Sequence, residues 1–187
     1  KLITSAFVHS TYDVSSRITL MGDLQYVYKR YALRDEKFVA TPRRFDVPFH
    51  FINPRLGANI NLSDAINAYA ALAVTSREPR EDQYYDPTEA AWGARPNFDT
   101  TSVGQPNYDE PLIKSERLTD LEVGIGYAQL GYRVGVNLFW MDFRDELIKQ
   151  GGIDKFGQPT VGNAERTLHQ GVELTGAVRP LEGVDLS

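Results

Sequence analysis

Apolar and polar residues alternate with a period of two along most of the chain. Leu121, Val123, Ile125 and Tyr127 interleave with Asp120, Glu122, Gly124 and Gly126. Ile18, Leu20, Leu24, Tyr26 and Tyr28 interleave with Thr19, Asp23, Gln25 and Lys29. Leu56, Ala58 and Ile60 alternate with Arg55, Gly57, Asn59 and Asn61. Tyr132, Val134, Val136, Leu138 and Trp140 alternate with Arg133, Gly135 and Asn137, and Val172, Leu174 and Val178 with Glu173, Thr175 and Ala177. Such runs predict strands with one apolar and one polar or small face, in residue types that favour a pleated surface. The alternation breaks over 139–143, where a bulge is expected. Weaker runs over 2–12 and 67–76 bring the set to seven strands and the start of an eighth. Ser63-Asp64-Ala65-Ile66 before an alanine-rich run resembles a capped helix start; a strand is preferred, because the flanking runs need a partner there.

The joins carry a second pattern. Short ones fall at Asp13–Ser16, Leu62–Ile66, Ala128–Gly131 and Pro180–Gly183; long ones fall at about 34–49, 77–116 and 149–166. They alternate strictly, as in an up-and-down antiparallel meander with tight turns at one end and long loops at the other. An outer-membrane barrel has that arrangement, and a soluble sandwich has no reason for it. In a barrel the apolar set faces lipid, while Asp23, Asn59, Asn61, Asp120, Glu122, Asn137 and Glu173 face the lumen, where carboxylates stay hydrated or paired. Facing lipid, each carboxylate would cost several kcal/mol.

Composition fits this reading. The chain has 187 residues, no cysteine and a net charge of −5, and its mean hydropathy is −0.37. The absent cysteines exclude a disulfide framework, a cysteine-based zinc site and a cysteine nucleophile. The mild acidity speaks against nucleic acid as a partner. No apolar run approaches the roughly 18 residues of a membrane-spanning helix. A barrel wall, averaging polar and apolar positions, is polar on the whole. The chain starts without methionine and stops as a new alternating run begins, which reads as an internal fragment of a longer protein.

The charge is concentrated. Residues 77–116 hold nine carboxylates against four cationic side chains, an excess that equals the charge of the whole chain. They also hold five prolines and the aromatics Tyr84, Tyr85, Trp92, Phe98 and Tyr108. A loop this long is usually functional or disordered. Arg77, Glu78, Arg80, Tyr84, Tyr85, Asp86 and Trp92 are the candidate ligand-capture residues; the alternative is a solvated surface loop.

The order of short motifs resembles the barrel domain of TonB-dependent outer-membrane receptors. Asn53-Pro54-Arg55-Leu56-Gly57 resembles a family strand opening. Asn67-Ala68-Tyr69-Ala70 with Thr75-Ser76-Arg77-Glu78-Pro79 resembles the strand leading into an extracellular loop. The descending strand is similar to Lys114–Gly124 and its partner to Asn137–Ile148, followed by Gly162-Asn163-Ala164-Glu165-Arg166 and Gln170-Gly171-Val172-Glu173-Leu174. The resemblance covers about residues 50–180. It implies that residues 1–187 are part of a 22-stranded transmembrane β-barrel, with the plug domain and remaining strands outside this chain. It also implies a Gram-negative outer membrane, no catalytic residues and no cofactor. The implied partners are a small-molecule ligand such as a ferric siderophore or cobalamin, the TonB complex through the plug, and outer-membrane lipid.

Other chemistry is weakly supported. His9, His50 and His169 lack metal-site spacing. Gly124-Ile125-Gly126 lies within a strand run and opens no helix, so it is not a dinucleotide fingerprint. Glu81, Asp82, Asp86 and Glu89 have no EF-hand spacing and read as a solvated charge run. The competing classes are a soluble all-β carbohydrate- or ligand-binding module and a β-rich hydrolase using loop carboxylates.

Overall fold

The computed structural model describes residues 1–34, 36, 42–86, 93–153, 157, 159–181 and 184–186. Its main sheet is an eight-stranded antiparallel meander, β1-β2-β3-β4-β7-β8-β9-β10. The strands are β1 (Leu2–Ser15), β2 (Ile18–Leu33), β3 (Phe45–Asn61), β4 (Ile66–Arg77), β7 (Glu116–Gln129), β8 (Tyr132–Ile153), β9 (Pro159–Leu181) and β10 (Val184–Leu186). Between β4 and β7 the chain forms a short helix α1 (Glu81–Tyr84) and a hairpin of β5 (Phe98–Thr100) and β6 (Pro106–Pro111). Among the described residues, no helix is long and apolar enough to cross a membrane.

Local chemistry explains the tight turns. Gly131 closes the two-residue connection between Gln129 and Tyr132 with a φ of 81°, a left-handed conformation that favours glycine. In the β3–β4 turn, the Ser63 hydroxyl accepts the N–H groups of Ala65 (3.2 Å) and Ile66 (3.1 Å). The serine that resembled a helix cap caps a turn instead, and the alanine-rich run after it is strand β4.

Register settles which residues share a face, because directly paired residues point to the same side. Ile18↔Ile60, Leu56↔Leu72, Leu72↔Leu121 and Leu121↔Trp140 belong to an apolar face. Many of its side chains are exposed, Leu56 by 61% and Leu174 by 77%. The opposite face is polar along the lower parts of the strands.

Higher on β2 and β3 the pattern inverts without a register break. Pairing is continuous from Ile18↔Ile60 to Leu33↔Phe45. Yet the apolar residues move from Leu24, Tyr26, Ile52 and Leu56 to Val27, Tyr31, Phe45, Val47, Phe49 and Phe51, on the other face. These residues are buried because Tyr84, Tyr85 and Phe98 pack on them, and together they form the hydrophobic core. Phe45 is its centre: its ring lies 4.9 Å from Phe98, 4.9 Å from Tyr108 and 5.8 Å from Tyr31.

Two boundaries and one expected bulge differ from the sequence reading. β3 begins at Phe45, inside the predicted loop 34–49, because Phe45, Val47 and Phe49 alternate with Asp46 and Pro48. The predicted loop 149–166 is largely strand, since β8 reaches Ile153 and β9 starts at Pro159; its polar composition conceals a hairpin extension. Pairing is unbroken across Phe139–Phe143, where a bulge was expected. The nearest irregularity is Asp145, with a φ of 51°. Beyond it Glu146 turns to the polar side, where its carboxylate accepts the Thr167 hydroxyl.

Candidate functional site

The seven polar residues read as lumenal all lie on the polar face, in four successive rows. Asn61 is lowest, paired with Asn67. Asn59, Asn137 and Glu173 share the next row, which runs Thr19↔Asn59↔Tyr69↔Gly124↔Asn137↔Glu173 across six strands. Glu122 stands one row higher. Asp23 and Asp120 share the row above that, through Arg55 and Ala73. Asn137 joins three of these strands. Its carbonyl accepts the Tyr69 hydroxyl at 2.9 Å, and its amide donates to Glu122 at 3.3 Å and Glu173 at 3.2 Å. The Tyr69 ring lies across Gly124, where a Cβ would fall 2.4 Å from ring carbon. Only glycine leaves room for the ring there.

The acidic segment divides the predicted capture residues. Tyr84 and Tyr85 turn inward, 1% and 3% exposed. Tyr84 stacks against Tyr31, and burial pushes its phenol pKa upward. The Tyr85 hydroxyl donates to Glu36 and accepts from Arg43 at 2.5 Å. Burial would raise the Glu36 carboxyl. The hydrogen bonds from Tyr85 and from the Arg43 backbone (2.7 Å), with the Arg43 charge at 3.1 Å, outweigh it and hold the carboxyl below its ordinary range. Tyr84 and Tyr85 therefore anchor the segment. Arg77 and Glu78 also tie it down: Arg77 meets Glu116 at 2.8 Å, and Glu78 meets Lys29 at 2.6 Å. Trp92 lies outside the described residues.

Arg80 and Asp86 remain at the rim. They line a cleft of about 500 Å³ with Asp82, Asn97, Lys149 and Thr160, between the anchored segment and the upper ends of β8 and β9. Arg80 pairs with Asp82 at 2.8 Å. A neighbouring cleft of about 550 Å³ is lined by Lys114, Asp145, Gln150, Asn163 and Glu165. Asn163 fixes its wall by donating to the carbonyls of Lys114 (3.0 Å) and Asp145 (2.7 Å). Both clefts offer mixed charge and amides, a lining suited to hydrogen-bonding a polar ligand. Among the described residues, no group of three or more His, Asp or Glu side chains is placed to hold a metal ion. Sequence reasoning missed Glu36, Arg43 and Lys149. The first two sat in a segment read as loop, where charged residues look merely solvated, and no motif marks the third.

A long-stranded meander with an exposed apolar face, a polar opposite face and tight turns at one end defines a wall of a transmembrane β-barrel. The chain belongs to the TonB-dependent receptor family: residues 3–186 match the family described as "TonB dependent receptor-like, beta-barrel". Barrels of this family lie in the outer membrane of Gram-negative bacteria. The family is one of receptors and transporters. The chain is similar to the FrpB iron transporter from Neisseria meningitidis (F3-3 variant), at 22% identity and a TM-score of 0.64, over 95% of this chain and 23% of that one. The copper transporter OprC gives 15% identity and a TM-score of 0.71, over 96% and 25%. The siderophore receptor PirA from Pseudomonas aeruginosa gives 15% and 0.64, over 98% and 30%. The chain thus spans about a quarter of the length of these structures. No curated protein matches it.

Proposed function

We propose that the intact receptor imports a scarce nutrient across the outer membrane with energy relayed by TonB, and that its cargo is a ferric siderophore or another metal complex. In this reading residues 1–187 supply barrel wall, with the polar face toward the lumen, and extracellular segments near 34–49, 77–116 and 149–166. The wall carries no catalytic group; the plug meets TonB, and the apolar face meets lipid. The observation that carries the reading is the mixed-charge cleft at the long-loop end, held open by an acidic segment anchored through Tyr84 and Tyr85. Arg80, Asp86 and Lys149 are its ligand-facing groups, while Tyr84 and Tyr85 act through anchorage. The test is uptake by cells carrying the full-length receptor, with and without TonB, against ferric siderophores, haem and cobalamin. One metal complex should be taken up only with TonB, and Arg80→Ala with Lys149→Ala should raise the concentration needed for half-maximal uptake. Uptake of none of them, or uptake indifferent to TonB, would overturn the proposal.

A further inference from the structure

Three arginines stand side by side on the apolar face. Arg117 pairs in register with Arg144, and Arg144 with Arg166, so one row crosses β7, β8 and β9 with a cation at each position. Neighbours in such a row have Cβ atoms about 5 Å apart, and like charges at that spacing destabilise a sheet. All three side chains are exposed.

Their height is defined. On β8 the apolar face runs Tyr132, Val134, Val136, Leu138 and Trp140, then Asp142 and Arg144. Twelve residues at about 3.3 Å each, tilted by roughly 40°, put Arg144 about 30 Å above Tyr132. An apolar band is about 25 Å tall. The row therefore sits just beyond its long-loop edge. Immediately above, Asp145 takes its left-handed conformation and Glu146 turns to the polar side.

Neutralisation is incomplete. Asp142 holds Arg166 through two bonds, at 2.8 and 3.0 Å. Among the described residues, neither Arg144 nor Arg117 has an ion pair. The other half of the sheet differs: nearer the long-loop ends of β2 and β3 on this face, Arg30 and Arg34 both converge on Asp46. One arginine cluster is closed by the protein and the other is left open toward the membrane surface.

We propose that Arg117 and Arg144, beside the Asp142-bound Arg166, hold a phosphate of a lipid headgroup in the leaflet on the long-loop side. Guanidinium forks match phosphate geometry bidentately. A membrane-surface anion also relieves the repulsion along the row, at a place where the side chains need not leave the interface. The inference rests on the barrel wall and is independent of the imported cargo.

The test uses the full-length receptor in detergent, with bound lipid counted by native mass spectrometry. The probes are bisphosphorylated lipid A, the same lipid stripped of phosphate, and inorganic phosphate. R117Q/R144Q should bind the bisphosphorylated lipid about twenty-fivefold more weakly, at roughly fivefold per arginine. R117K/R144K, which keeps charge but loses the fork, should fall only a few fold. R30Q should match the parent, and retained heat-modifiable gel mobility should show that every barrel is folded. Stripped lipid should not distinguish parent from R117Q/R144Q, and inorganic phosphate should not saturate either. Equal binding by R117Q/R144Q, an equal loss in R30Q, or a difference that persists with stripped lipid would overturn the proposal. Saturable inorganic phosphate binding at the row would make it a site for the free anion and would also overturn it.

Discussion

The same face of this sheet is treated in two ways. On β2 and β3, above the level of Tyr26 and Ile52, it carries Val27, Tyr31, Phe45, Val47, Phe49 and Phe51 beneath a folded segment. On β7, β8 and β9, lower down, it carries Asp120, Glu122, Asn137 and Glu173, which lie outside that core. The exchange of apolar and polar positions happens within β2 and β3 without a bulge, at one height on both strands. Apolar character therefore tracks what covers a face: on the proposed barrel, lipid on one side at the level of the membrane, and the chain's own acidic segment on the other side above it.

The largest effect tests whether the aromatic rows exist to seat that segment. Phe45→Ser removes a ring that is 4% exposed and touches Phe98, Tyr108 and Tyr31. Such a truncation costs about 3–5 kcal/mol, here set against docking of the segment. In the full-length receptor we expect protease cleavage between residues 93 and 112 to accelerate strongly while the barrel stays heat-modifiable. Unchanged cleavage would mean that the segment is held by something other than this core.

The second effect concerns the anchor at Glu36. Glu36→Gln keeps the shape and removes the anion shared by Tyr85 and Arg43, at a cost of about 2–3 kcal/mol for charge-assisted bonds. The same anchor has a pH signature. A carboxyl held below its ordinary value in the docked state adds stability that is fully present above the undocked pKa, about 4.3. That stability is lost as pH falls through the lower docked value. Protease sensitivity of the segment should thus be flat above about pH 5 and rise in more acidic solution, and the rise should disappear in Glu36→Gln.

These features bear on what was legible beforehand. The lower wall was readable because solvation enforces period two there: a carboxylate at Asp120 or Glu122 tolerates one face only. Phe45–Phe51 alternates just as cleanly. Its phase is opposite to that of Leu56–Ile60, and Pro42, Arg43, Arg44 and Pro48 punctuate it, so it read as loop. The burial of Tyr84 and Tyr85 was not legible, because a composition rich in acids, prolines and aromatics describes a docked segment and a free one equally well. Lys149 became a cleft residue through the β8–β9 extension, which no local signal announces.

The third effect moves to the uncovered sector. Gly124→Val puts carbon where the Tyr69 ring lies, 2.4 Å from ring carbon, and displaces the hydroxyl from Asn137. Overpacking of this kind costs about 1–3 kcal/mol, read as a lower denaturant midpoint. Gly22→Ala is the contrast on the apolar face, where the nearest side-chain atom to an added Cβ is 3.9 Å away. It should leave the midpoint within about 0.5 kcal/mol of the parent.

The smallest effect decides most about the comparison. Asn137 makes three side-chain bonds, two of them longer than 3.1 Å, in a network reached by water. Asn137→Ala should cost no more than about 1 kcal/mol, because water replaces each partner. Glu122 and Glu173 then lose a shared donor between two like charges, so the small loss should shrink further as salt is added. Measured in the full-length receptor, the same substitution reports what the isolated wall does not contain. A cost above about 2 kcal/mol, insensitive to salt, would mean that these carboxylates are buried against another part of the protein. The polar face would then be a covered surface like that of Phe45, distinguished only by the charge of what covers it.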